Sequence, residues 1–115
     1  LGDTTGKGSP DVTSGVLEEC LKVLTSDKLA GHFHDTYQNA LNNIQLCLEK
    51  GIKTFDASVG GLGGCPYSPG AKGNVATEKV NKLLMSLGYR TNLNSKKIDE
   101  CSEMALNLKM GKNYD

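Results

Sequence analysis

Neither sign of charge is in excess in this chain: 13 Lys and Arg stand against 13 Asp and Glu, for a formal net charge of +0. That lack removes the electrostatic footprint by which proteins hold DNA, RNA or an acidic membrane. The basic side chains are also dispersed. Lys96-Lys97 is the one adjacent pair, and a solvated helix face accounts for it. No apolar run approaches the ~20 residues that a membrane-spanning helix needs. No signal-peptide pattern opens the chain. It begins at Leu1 in what reads as the end of a strand, so residues ahead of it, a targeting segment among them, are an expectation rather than an observation. The four cysteines, Cys20, Cys47, Cys65 and Cys101, include no C-x-x-C pair, which leaves a zinc ribbon or a redox dithiol unsupported. Repeats and low-complexity tracts are missing too. With 115 residues the chain suffices for one small domain with a modest core.

What is present alternates between helical and strand-like patterns. Ser9-Pro10-Asp11 reads as a helix start: a hydroxyl cap, proline at the first helical position and an acid in the first turn. Val16, Leu17, Cys20, Leu21 and Leu24 follow at helical spacing. Leu29 to His34 reads as a short buried strand. A second helix carries Ala40, Leu41, Ile44, Cys47 and Leu48 on one stripe and stops at Gly51, with Ile52 placed to pack behind it. Ile52 to Val59 is a second strand, with Phe55, Ala57 and Val59 on one face and Thr54, Asp56 and Ser58 on the other. A glycine-rich loop runs from Gly60 to Gly73. A third helix, with Val75, Val80, Leu83, Leu84 and Leu87 as its stripe, ends at Gly88. The last helix spans about Ser95 to Met110 with Ile98, Cys101, Ala105 and Leu108 inward. This order predicts an α/β fold with parallel strands and right-handed crossovers. Two complete strands do not make a stable parallel sheet covered on both faces, so a larger α/β protein, or a split one, is expected. Cys20, Cys47 and Cys101 fall on helix stripes and read as small buried hydrophobes, a usage that suits a reducing compartment.

Several residues bear chemistry. His32 and His34 are one residue apart on a strand and therefore share a face, where both imidazoles can reach one ion. Asp35 is placed either to orient a ring or to cap the following helix. Asn74 reads either as an N-cap or, through its amide oxygen, as a hard ligand suited to Mg²⁺ or Mn²⁺. Cys65 sits among glycines where no apolar period explains it; its thiol is a bystander or a proton donor or nucleophile. Asp3 follows a strand remnant, where barrel active sites are built. Gly2 to Gly8 fails as a phosphate loop, being one residue short and lacking the Ser or Thr after Lys7. Gly60-x-x-Gly63 lacks the acidic partner of a dinucleotide fingerprint.

Four stretches carry a resemblance. They are Leu1-Gly2-Asp3-Thr4; His32-x-His34-Asp35-Thr36-Tyr37; Asp56-x-Ser58-Val59-x-Gly61-Leu62-Gly63-Gly64-Cys65-Pro66-Tyr67; and Gly70-Ala71-x-Gly73-Asn74-x-Ala76-Thr77-Glu78. Together they resemble the 3-hydroxy-3-methylglutaryl-CoA lyases over nearly the whole chain. Metal-dependent Claisen-type synthases and aldolases share the His-x-His and Gly-Asn but not the Gly-Gly-Cys-Pro-Tyr run. The resemblance implies the C-terminal part of a TIM (β/α)8 barrel: the end of strand 6, strands 7 and 8 with their helices, and a terminal helix. A full barrel takes about 250 residues. It further implies cleavage of a CoA thioester, hydroxymethylglutaryl-CoA, to acetyl-CoA and acetoacetate, as in leucine degradation and ketone-body formation. His32, His34 and Asn74 would ligate a divalent cation, Mg²⁺ or Mn²⁺. Cys65 and Asp3 would be catalytic, and Gly60, Gly61, Gly63 and Gly64 would form the hinge of a loop closing over substrate. The family's remaining Asp ligand, an Arg and a Glu lie on early strands that no position here matches. A homodimer, a separately supplied N-terminal half, and a location in the bacterial cytoplasm or the mitochondrial matrix follow as expectations. A non-catalytic remnant of such a lyase is the alternative. Gln38-Asn39 departs from the Gly-Gln common in the family after the tyrosine.

Overall fold

The computed structural model describes residues 1–63 and 73–109. Strand and helix alternate along it: β1 (Gly2–Asp3), α1 (Pro10–Leu21), β2 (Gly31–Phe33), α2 (Ala40–Glu49), β3 (Phe55–Asp56), α3 (Thr77–Ser86) and α4 (Ser95–Lys109). Short 3-10 turns lie at Ser26–Lys28 and Val59–Gly61. The strands form one parallel sheet in the order β1-β2-β3, as strand–helix alternation requires. Gly2 is paired with His32, Asp3 with Phe33, and His32 with Asp56. The strands are shorter than their sequence patterns suggest. Leu29, Ala30 and His34 flank β2, and only Phe55–Asp56 of the Ile52–Val59 run is laddered.

Local chemistry sets most helix ends. The Ser9 hydroxyl accepts the Val12 N–H at 3.4 Å ahead of Pro10. Gly51 takes φ +87 and lets the Ile52 N–H reach back to the Cys47 carbonyl at 2.9 Å, the left-handed termination expected there. Gly88 ends α3 in the same way, at φ +88. The core gathers Leu17, Phe33, Ala40, Ile44, Cys47, Ile52, Val75 and Val80 between the helices and one face of the sheet. Each fully buried Leu, Ile or Phe contributes about 1.5–3 kcal/mol. Burial pushes the Cys47 thiol up to about 11, so it packs as a hydrophobe.

Three expectations are corrected. Asn74 does not cap α3: the helix begins at Thr77, and the capping position is Ala76, whose side chain has no hydrogen bond to give. Leu24 lies beyond the end of α1 and is exposed, and Cys20 is only half-buried. On α4, Ala105 faces inward as read and Ile98 is half-buried, but Ser102 joins them there, while Cys101 and Leu108 are exposed. The reason for the last is steric. Gly60 offers no side chain, and α4 turns its smallest residues toward it: a Cβ at Gly60 would stand 2.9 Å from that of Ala105. Among the described residues no helix is long and apolar enough to cross a membrane.

Candidate active site

Phe33 points into the core with 2% of its surface exposed. Alternation therefore turns His32 and His34 together to the other face of the central strand. Their ring centroids are 5.3 Å apart with planes at 64°. Each imidazole has a different setting. Asp56 Oδ1, across the β2–β3 register, accepts from His32 Nδ1 at 2.5 Å. That bond holds the ring and leaves its other nitrogen as the lone-pair donor. His34 is buried, and its Nδ1 has no hydrogen-bond partner among the described residues.

Asn74 comes to the same place from the far side of the glycine segment. It forms an antiparallel bridge with His34, next to the Val75 N–H donating to the Phe33 carbonyl at 3.0 Å. Its side-chain nitrogen donates to the Leu62 carbonyl at 3.0 Å and to Gly63 at 3.3 Å, and its backbone N–H donates to Gly63 at 3.0 Å. The amide nitrogen is thus committed to the neck of the glycine segment. The amide oxygen is buried and unpartnered among the described residues. A buried polar atom without a partner costs about 1–3 kcal/mol. Two such atoms on bridged residues, one imidazole nitrogen and one amide oxygen, make a donor set that fits a divalent cation.

The other expected residues are placed as follows. Asp3 sits beside Phe33 in register rather than beside a histidine, and its carboxylate accepts the Gly8 N–H at 2.9 Å. No group of three His, Cys, Asp or Glu side chains converges among the described residues. Asp35 takes the capping role: its Oδ1 accepts the Ala40 N–H at 3.3 Å, and Lys79 Nζ is 4.0 Å from Oδ2. Gly60, Gly61 and Gly63 all have positive φ, between +69 and +88, the backbone freedom that a glycine hinge needs. Cys65 and Gly64 lie outside the described residues. Asp56 is the partner that sequence reasoning missed. Its place on the polar face of its strand was legible, but its neighbour was not.

A cavity of about 300 Å³ adjoins Asn74, lined by Asp35, Gln38, Gly60, Gly61, Glu78 and Lys79 among others. A larger one, about 450 Å³, opens between α2, β3 and α3 beside Phe55, Val80 and Tyr89. Neither cavity is lined by a histidine, but the smaller one touches Asn74 and the larger does not. Gln38 on the smaller rim has φ +60, a left-handed conformation that costs a residue with a Cβ about 1–2 kcal/mol. The Gly-to-Gln departure noted in the sequence is therefore strained. Gln38→Gly is expected to stabilise the fold by about 1 kcal/mol, read as a higher urea midpoint at unchanged slope.

With this geometry in hand, the comparisons with known proteins are specific. The HMGL-like family pattern matches residues 1–105. The chain belongs to the HMGL-like family. It is 57% identical over 91 residues to the hydroxymethylglutaryl-CoA lyase of Pseudomonas mevalonii, covering 79% of this chain and 30% of that one. The HMG-CoA lyase of Brucella melitensis superposes with a TM-score of 0.91 at 46% identity, over 96% of this chain and 39% of that one. An Acinetobacter baumannii HMG-CoA lyase in complex with coenzyme A and 3-methylmalate matches with a TM-score of 0.84 at 32% identity, over 100% of this chain and 41% of that one. The chain spans between about 30% and 41% of the length of these relatives.

Proposed function

We propose that this chain supplies the histidine pair, the carboxamide and the cysteine segment of a lyase that cleaves 3-hydroxy-3-methylglutaryl-CoA to acetyl-CoA and acetoacetate. A complementary barrel segment would add the Asp, Arg and Glu that the chain does not match. In barrel terms β1, β2 and β3 are then the end of strand 6 and strands 7 and 8. The observation that carries the reading is the unpartnered Asn74 oxygen, buried on the residue bridged to His34. The amide gives its nitrogen to Leu62 and Gly63 and leaves its oxygen unpartnered among the described residues. The CoA complex of the Acinetobacter lyase supports a CoA thioester as substrate.

His32, His34 and Asn74 would hold a divalent cation, Mg²⁺ or Mn²⁺. When bound, it supplies Lewis-acid polarisation of the substrate's hydroxyl and carboxylate oxygens. Asp56 keeps His32 in one tautomer and orientation. A base takes the C3 hydroxyl proton, the C3–O bond becomes the ketone of acetoacetate, and the C2–C3 electron pair passes to C2 as the thioester enolate. The Cys65 thiol gives its proton to that carbon, and the glycine segment excludes water while it does so. Asp3 belongs to the acid–base set of this reading, its carboxylate prepositioned by the Gly8 N–H.

The test mixes the purified chain with Mg²⁺, hydroxymethylglutaryl-CoA and the N-terminal part of a lyase relative, and measures acetoacetate. Product is expected from the mixture and not from the chain by itself, and His34→Ala is expected to remove it. Full turnover by the unaccompanied chain, or turnover untouched by His34→Ala, would sink the reading.

A further inference from the structure

Where β3 ends, the backbone turns through Val59–Gly61 into the glycine segment. Two elements far apart in sequence meet at that turn. Glu78, in the first turn of α3, places both carboxylate oxygens on the Gly60 N–H, at 3.1 and 3.2 Å. The same Oε1 accepts the Ser102 hydroxyl of α4 at 2.7 Å. Gly60 is wedged against α4, because a Cβ there would meet Ala105 at 2.9 Å and the Ser102 carbonyl at 3.5 Å. Its φ of +69 is followed by another +69 at Gly61. Two successive left-handed glycines do not hold a direction by themselves. Something must select one path, and among the described residues Glu78 is the side chain that grips the turn.

The carboxylate is suited to this. Burial pushes its pKa up. The Ser102 hydroxyl, the backbone N–H groups of Glu78 and Gly60 and the Lys79 charge outweigh that, and the net result lies below the usual carboxylate range. The start of α3 adds the positive end of the helix dipole. Glu78 is therefore charged at neutral pH, and hydrogen bonds to a charged group are stronger than those between neutral partners.

We propose that Glu78 is a positioning residue for the glycine segment: it fixes the direction in which the backbone leaves β3, and through Ser102 it recruits α4 as the support of that turn. Its catalytic consequence rests on the lyase reading, since the segment it aims carries Cys65. The structural claim stands without that reading. Glu78 also lines the cavity beside Asn74, so the grip acts at the edge of the proposed site.

The test is amide hydrogen exchange resolved at single residues, on the chain without cation or substrate. Exchange then reports on the grip even if no lyase activity is ever found. In Glu78→Ala the Gly60 amide is expected to exchange about tenfold faster or more, while the Ile44 amide in α2 keeps its rate. Glu78→Gln, which retains one acceptor oxygen, should fall between. Ser102→Ala removes only a hydroxyl and serves if Glu78→Ala does not fold; it too should speed Gly60 and spare Ile44. An unchanged Gly60 rate in these variants overturns the proposal. So does equal acceleration at Gly60 and Ile44, which would make Glu78 a general stabiliser with no particular hold on the turn.

Discussion

Gly73→Ala is expected to destabilise the chain by about 3–5 kcal/mol, a large part of the ~5–15 kcal/mol that a domain has in total. Gly73 has φ +97, and a Cβ there would lie 2.5 Å from the Gly61 carbonyl oxygen and 2.7 Å from that of Gly63. Both are backbone atoms held by other bonds: the Gly63 oxygen accepts from Asn74, and Gly61 donates to Ser58 at 2.9 Å. Neither can yield without opening the neck. Gly88→Ala is the matched control. Its φ is +88, but a Cβ there meets nothing within 4 Å, so only the left-handed strain of about 1–2 kcal/mol remains. Urea unfolding of the two variants separates conformational strain from crowding. Equal losses would mean that the close approach of the two stems does not exist in solution.

The second large effect is expected at Asn74. Asn74→Ala removes two donated hydrogen bonds. The Gly63 carbonyl keeps its backbone partner, so the loss is about 1–2 kcal/mol. Asn74→Asp is nearly isosteric yet is expected to cost more, about 2–4 kcal/mol. It replaces a donor with an anionic oxygen 3.0 Å from the Leu62 carbonyl in a half-buried position. The order Asp worse than Ala, measured by urea midpoint at neutral pH, is the diagnostic. The reverse order would show that the amide nitrogen does not face the neck.

How much of this was legible depended on how local its cause was. The start of α1 is written in Ser9, Pro10 and Asp11, and the ends of α2 and α3 in Gly51 and Gly88, because caps and left-handed glycines act within a few residues. The shared face of His32 and His34 follows from strand alternation alone. The partner of His32 does not: Asp56 reaches it only through the β2–β3 register, which no short window of sequence contains. Asn74 looked like a helix cap because an apolar run follows it. Instead, its backbone is used by the bridge to His34, and α3 starts three residues later. The inward face of α4 was partly misread for a related reason. Ala105 was placed correctly, but Cys101 and Leu108 are too large for a contact with a bare glycine, and the polar Ser102 is what fits beside Ala105. Glu78 was noticed only as part of a matching stretch, since its role requires two segments to be folded against each other.

The carboxamide of Asn74 is a rigid plate. Its nitrogen end is hitched to Leu62 and Gly63, and its oxygen end is bare among the described residues. A plate cannot swing at one end only. Whatever pulls on the oxygen therefore tugs the collar of the glycine segment, and whatever loosens the collar tilts the oxygen away, the two coupled by one free energy that reads the same from either end.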